Sequence, residues 1–332
     1  MVARRTLFIA MLGASTGLAG LSLIAPAAAE PLKVVASFSI LGDMVENVGR
    51  DRIALTTLVG PDGDAHVYEP TPADARAISE ADLVIINGLE FEGWMERLLE
   101  ASAYKGPVVI ATQGIDPIPL EGEHADDADH DHAAEAHAAH AAHEAEAHAE
   151  QEAHDHDEFD PHAWQDLANA KAYVHNIAAA LVEADPGNDS AYTVAAADYE
   201  AWLQALDHDV RAMLESVPEE RRKVVTSHDA FGYFGRAYGI EFLAPVGMST
   251  EAEPSAGEIA ALIRQIRDEG ITAVFVENIT DTRLIEQITA ETGAKIGGTL
   301  YSDALSGPAG PASTYLEMFR HNATALTNAL AS

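Results

Sequence analysis

Six histidines of this chain stand outside its one histidine-dense tract: His66, His162, His175, His208, His228 and His321. Three of them sit among polar, turn-forming neighbours. "GPDGDAHVYEPTP" carries His66, "DEFDPHAW" carries His162 and "VVTSHDAFGYF" carries His228, while "GGTLYSDALSGP" adds Asp303 just past a β-rich run. Three imidazoles and one carboxylate make a four-coordinate donor set for a divalent cation, and zinc accepts such a set with no thiolate. The chain has no cysteine, so histidine and carboxylate must carry any metal and no disulfide can form. Each histidine alone is better explained as a loop residue bonded to backbone; the joint placement of the four groups at strand ends favours a metal site. His175, His208 and His321 fall inside predicted helices without a partner at ligand spacing, which makes them surface or packing residues. Glu277 closes the apolar run "AVFVE" and is a candidate to accept from a ligand imidazole.

The tract holds the other nine histidines, His124, His130, His132, His137, His140, His143, His148, His154 and His156, in an alanine- and acid-rich background. Pairs three apart, such as His137 and His140, face one side of a transient helix. Ordering such a segment costs conformational entropy, so it offers auxiliary, low-affinity metal sites. Residues 118–158 show neither strand nor core pattern and read as a disordered insertion with some helical tendency.

The elements that must position the four groups alternate regularly. "LKVVASF", "RIALTTLVG", "DLVIING" and "GPVVIA" read as strands separated by helical stretches, and "KVVTS", "IEFLAPV", "ITAVFVEN" and "KIGGTL" repeat that order in the second half. Near-continuous apolar strands alternating with helices predict parallel sheets covered on both faces. The fold class is therefore α/β: two lobes, each a four-stranded parallel sheet flanked by helices. A helix from about Ser190 to Val217, with Tyr192, Ala195, Tyr199, Trp202, Leu206, Val210, Met213 and Val217 at spacings of three and four, is expected to join them as a rod. The expected segments are a signal peptide at 1–29, an N-terminal lobe at 30–188 that contains the tract, the linker helix at 189–217 and a C-terminal lobe at 218–332. Ligands of open parallel sheets bind beyond the carboxyl ends of the strands, so His66 and His228 are expected to face one cleft from opposite lobes.

Arg4 and Arg5, the apolar run to about Ile24 and the triplet Ala27-Ala28-Ala29 have the pattern of a cleavable secretory signal, which places the mature chain outside the cytoplasm. With no cysteine after the cleavage site, a lipid-anchored form is not indicated. The formal net charge of −35 excludes nucleic acid and anionic membrane as natural partners and suits a cationic ligand.

Taken together, "DAHVYEPTP", "DPHAW" after an acidic histidine tract, "SHDAFGYF", "ENI" and "YSDALS" resemble, in order and spacing, the metal-binding family of periplasmic solute-binding proteins that feed zinc or manganese ABC importers. The resemblance runs from Leu32 to the last helix. It implies two α/β lobes joined by a backbone helix, metal held between them by His66, His162, His228 and Asp303, delivery to an inner-membrane permease and modest lobe movement. Manganese-selective members typically have glutamate where this chain has His228, so the resemblance points to zinc as transported ligand, with manganese the alternative cargo. Some zinc-importing relatives have a disulfide in the second lobe and a glutamate before the first ligand histidine; this chain has no cysteine, and Ala65 stands at that place, so the fourth position falls to Asp303 alone. Two other readings belong to different classes. A secreted zinc hydrolase would also use three histidines, but there is no HExxH-like pair to supply its base. A periplasmic zinc buffer or chaperone would make the tract the working part. The expectation is a monomeric binding protein without catalysis, with an ABC permease as partner and a periplasmic zinc chaperone as a candidate source of its metal.

Overall fold

The computed structural model describes residues 30–120 and 159–331. The expected leader and all nine tract histidines lie outside the described residues.

Two four-stranded parallel sheets form the frame. The first runs β2-β1-β3-β4, from β1 (Leu32–Phe38), β2 (Ile53–Val59), β3 (Leu83–Ile86) and β4 (Val108–Ile110). The second repeats the order as β6-β5-β7-β8, from β5 (Lys223–Val225), β6 (Glu241–Leu243), β7 (Ala273–Glu277) and β8 (Lys295–Leu300). The central strands are apolar because helices cover both faces: Val34, Val35, Ala36 and Phe38 of β1 and Val274 and Phe275 of β7 are all buried. In each sheet the first strand in sequence lies between the second and the third. That arrangement creates a crevice at its carboxyl edge.

Around the first sheet lie α1 (Ser39–Gly49), α2 (Pro72–Ser79), α3 (Met95–Ala101) and α4 (Leu167–Ala184); around the second lie α6 (Gly232–Tyr238), α7 (Ala256–Glu269), α8 (Arg283–Thr292) and α9 (Tyr315–Ala331). Local sequence sets several of their ends. Thr71 and Asp74 form a capping box before α2 with Pro72 at its first position, and Ser255 and Glu258 do the same for α7. Gly270 and Gly293 end α7 and α8 at positive φ, where a residue without Cβ is favoured.

The rod α5 (Asp189–Glu215) is 27 residues long, about 40 Å at 1.5 Å per residue, and packs on α1, α4 and α9. Its buried stripe is Tyr192, Ala195, Ala196, Tyr199, Leu203, Leu206, Val210 and Leu214. Trp202, expected inside, is 52% exposed, with its ring edge-on to Tyr199, and Met213 is only half-buried. Leu203 and Leu214, one position on, take the inward places because both pairs straddle the same helical face.

One core runs through the first sheet, α1, α4, α5, α6 and α9; a second, smaller one lies under α7 and α8, built from Val225, Leu262, Ile263, Ile266, Ile271, Val274, Ile285 and Ile288. At the near end of the insertion, Ile118 packs on the main core and Pro119 pairs antiparallel with Phe159. The structured stem therefore extends past 118, further than the sequence pattern suggested, because an isolated bridge has no periodicity to read.

Candidate metal centre

Four groups expected to come together do so. His66 follows β2, His162 follows the stem of the insertion, His228 follows β5 and Asp303 follows β8. One ligand atom from each lies within 4.8 Å of all the others. His66 Nε2 is 3.4 Å from His162 Nε2 and 3.2 Å from Asp303 Oδ2, which is also 3.1 Å from His228 Nε2. His162 Nε2 is 3.5 Å from Asp303 Oδ1. A tetrahedron with metal–nitrogen bonds of 2.0–2.1 Å has edges of about 3.3 Å. The four separations given above are close to that edge, while the ligand atoms as a set spread to 4.8 Å. Its side chains are sealed from solvent, with Asp303, His162 and His228 at most 1% exposed and His66 6%.

Such burial is costly for charge unless the groups satisfy one another. Removal from water, the largest single influence, pulls the His228 imidazole down, but Glu277 and Asp303 together outweigh it and hold the pKa well above its usual value. Burial pushes the Asp303 carboxyl up, and the neighbouring imidazoles of His228 and His162 more than reverse this, leaving it well below the usual carboxylate range. Asp303 Oδ1 accepts no hydrogen bond although it is fully buried. A cation between the four groups would satisfy that oxygen.

Carboxylates fix the imidazoles from behind. Asp160 Oδ1 accepts from the His162 backbone N–H at 2.9 Å and lies 2.8 Å from its Nδ1, leaving Nε2 directed at the centre. Glu277 Oε1 accepts the backbone N–H groups of Ser227 and His228 at 2.7 and 2.9 Å. Its Oε2 is 2.7 Å from His228 Nδ1 but off the N–H axis, so that contact is electrostatic rather than a well-aligned hydrogen bond. Such outer partners set tautomer and ring orientation. The His66 ring instead meets Phe91 edge-on at 4.8 Å, and Phe91 also faces His162 at 6.0 Å.

Asp160 and Phe91 are site residues that the sequence reading missed. A signal for Asp160 was present: Asp64-Ala65-His66 and Asp160-Pro161-His162 share the pattern D-x-H, and in both the aspartate Oδ1 accepts the histidine backbone N–H at 2.9 Å. Phe91 had none, since an aromatic in a loop reads as ordinary core. The other three histidines stay away from the centre. His175 and His208 are exposed on α4 and α5, and His321 Nε2 contacts the Thr299 carbonyl at 2.9 Å.

A family model described as the periplasmic zinc-uptake complex component A matches residues 34–329. The chain is 32% identical over 301 residues to the manganese-binding lipoprotein MntA of Halalkalibacterium halodurans, spanning 91% of this chain and 89% of that one. It is 33% identical over 293 residues to the iron-binding protein YfeA of Yersinia pestis, spanning 87% and 83%. Among solved structures, the periplasmic zinc binding protein TroA from Treponema pallidum is similar at a TM-score of 0.77 and 30% identity, over 91% of this chain and 99% of that one. The relatives agree on a bound metal and differ in which one they are named for.

Proposed function

This chain belongs to the zinc-uptake complex component A family, periplasmic metal-binding components of ABC importers, and we propose that its cargo is Zn2+, held between the two lobes by His66, His162, His228 and Asp303. Solute-binding proteins of this kind work with a membrane permease and its ATPase. The observation that carries the zinc reading is the donor set, three imidazole nitrogens and one carboxylate oxygen gathered within 4.8 Å of one another. Manganese and iron(II) favour more oxygen-rich, higher-coordinate shells than this cluster offers. Glu277 and Asp160 act from behind, each bracing one imidazole so that the neutral ligand form presents Nε2 to the ion.

Asp303 at the fourth corner favours capture over hydrolysis, because a hydrolytic zinc keeps that corner for water. The nine tract histidines, His124 to His156, fit an auxiliary role as weak collectors, and the leader at 1–29 fits export to the periplasm. We read the protein as a monomer whose loading, from free ion or from a zinc chaperone, ends at the same four residues.

The test is a pair of equilibrium titrations, zinc and manganese, on the full chain and on a chain lacking residues 121–158. One tight zinc equivalent is expected in both, with manganese at least about a hundredfold weaker, and His228→Ala abolishes the tight zinc. Loss of tight zinc on deleting 121–158, or tighter manganese than zinc, would overturn the reading.

A further inference from the structure

The two D-x-H turns use their second carboxylate oxygen differently. In the Asp160 turn, Oδ2 is buried without a partner and sits where a Cβ on Gly232 would come within 2.5 Å of it. In the Asp64 turn, Oδ2 reaches across to the other lobe and accepts the Thr250 hydroxyl at 2.6 Å. Thr250 lies in the loop between β6 and α7. The same loop is tied to His228 as well: Val246 forms a parallel bridge with His228, and the Asp229 backbone N–H donates to the Val246 and Gly247 carbonyls at 3.1 and 3.2 Å. It therefore clips two ligand turns together, His66 through Asp64 and His228 through the bridge.

Thr250 and Asp64 also line a cavity of about 540 Å³. Of the four groups of the centre His228 lines it, beside Ser227, and the start of α8 with Asp281 and Arg283 lines it as well. The Ser227 hydroxyl is buried there without a hydrogen-bond partner. The opposite side of the centre is closed differently. The segment carrying Asp303 is bound to the first lobe by Trp164 Nε1 and Gln165 Nε2 donating to the Ser302 carbonyl at 2.8 and 2.7 Å, by Leu305 N–H to Ser39 Oγ at 2.9 Å, and by Asp62 N–H to the Leu305 carbonyl at 2.8 Å. Among the described residues, the β6–α7 loop meets the first lobe through the one hydrogen bond from Thr250.

We propose that Thr250 and Asp64 form a latch over the path by which the metal ion enters and leaves, and that this path is the cavity between the β6–α7 loop and α8. Thr250 is a positioning residue here: it touches no ion and acts by holding the clip shut. The proposal rests on the four-residue metal reading above. Opening the latch exposes His228 from the cavity side while Asp303, His162 and His66 keep their places, so the ion departs past the ligand on the least anchored wall.

Three variants of the full-length protein test it, with zinc exchange followed by transfer to a chromogenic chelator and ligand geometry by the absorption spectrum of the cobalt-loaded protein. Thr250→Val removes the hydroxyl and keeps the shape; zinc release and uptake should both speed by about tenfold, the factor carried by a hydrogen bond to a charged group, with the cobalt spectrum unchanged. Thr250→Ser restores the donor and should exchange at the wild-type rate. Ala252→Trp adds bulk to the cavity wall and should slow exchange in both directions. Wild-type exchange rates in Thr250→Val, or a changed cobalt spectrum in that variant, would overturn the latch. His228→Ala separates the two failures: tight zinc retained there defeats the metal reading itself, whereas tight zinc lost there with Thr250→Val unaltered defeats only the latch.

Discussion

The two walls of the metal centre that come from the second lobe are built on different foundations. Asp303 leaves β8 beside α9 and joins the core that runs without a break into the first lobe, with Phe275, Leu300, Tyr315, Met318 and Phe319 all inside it. The loops that flank His228 on the cavity side lead instead into α7 and α8, whose inner faces pack on the separate eight-residue core. A small core with few anchoring bonds opens at lower free energy than a large one. One side of this site serves as the fixed frame and the other as the side that gives, even though both sheets have the same strand order.

The strongest way to break the comparison is to attack the frame. Trp164 is fully buried, meets Phe38 at a tilt and Phe91 edge-on, and donates to the Ser302 carbonyl. Trp164→Ala should cost about 4 kcal/mol of global stability, measured by chemical denaturation, and should abolish tight metal binding with it. A loss under 1 kcal/mol would mean that the frame does not depend on this joint. Next in size is Ile288→Ala in the small core, expected to cost about 2–3 kcal/mol. Hydrogen exchange should show the loss concentrated in α7 and α8; uniform loss across both lobes would merge the two cores into one unit.

A third effect concerns the place where α1, α5 and α9 meet. Asp43 is buried there, accepting from Tyr199 Oη at 3.2 Å and from the Tyr315 backbone N–H at 3.1 Å. Burial raises its pKa to about 6, the two hydrogen bonds pull it back in part, and Glu46 and Glu317 push it up further. A carboxyl whose folded pKa lies above its unfolded one favours the fold when protonated, so its stabilising share is complete below about pH 4 and is lost as pH rises through 6. Asp43→Asn should therefore come close to wild type near pH 4 and exceed it by up to about 3 kcal/mol at pH 7.5. Denaturation curves at the two pH values decide this, and a difference independent of pH would contradict it. The smallest effect belongs to the surface: Lys223 pairs with Glu241 at 3.0 Å and Glu269 at 2.7 Å, all partly exposed, and Lys223→Ala should leave the denaturation midpoint where it is in wild type.

Much of this was legible in the sequence because it depended on local pattern. β1 and β8 fall where the apolar runs place them, and the rod differs from its expected span by one residue at the start and two at the end. His66, His228 and Asp303 could be named from their place after strands, since parallel topology sends every strand's carboxyl end to the same edge, and His162 from the turn where the insertion re-enters the fold. What escaped was contact across long sequence separations. Nothing near Phe91 announces that it will face His66, and nothing near Thr250 announces Asp64, 186 residues away. The stripe on α5 was read one position off at Trp202 because spacings of three and four fit two neighbouring lines on one helix equally well. Asp160 was readable in principle, since the repeated D-x-H pattern lay in the sequence beside both loop histidines.

The central claim is that one zinc ion sits between three imidazoles and Asp303. Zinc-edge X-ray absorption on the chain lacking residues 121–158, loaded with one equivalent, tests it most directly. A four-coordinate shell of three imidazole nitrogens and one oxygen at 2.0–2.2 Å is expected. A six-coordinate shell, or one with fewer than three imidazoles, would contradict it.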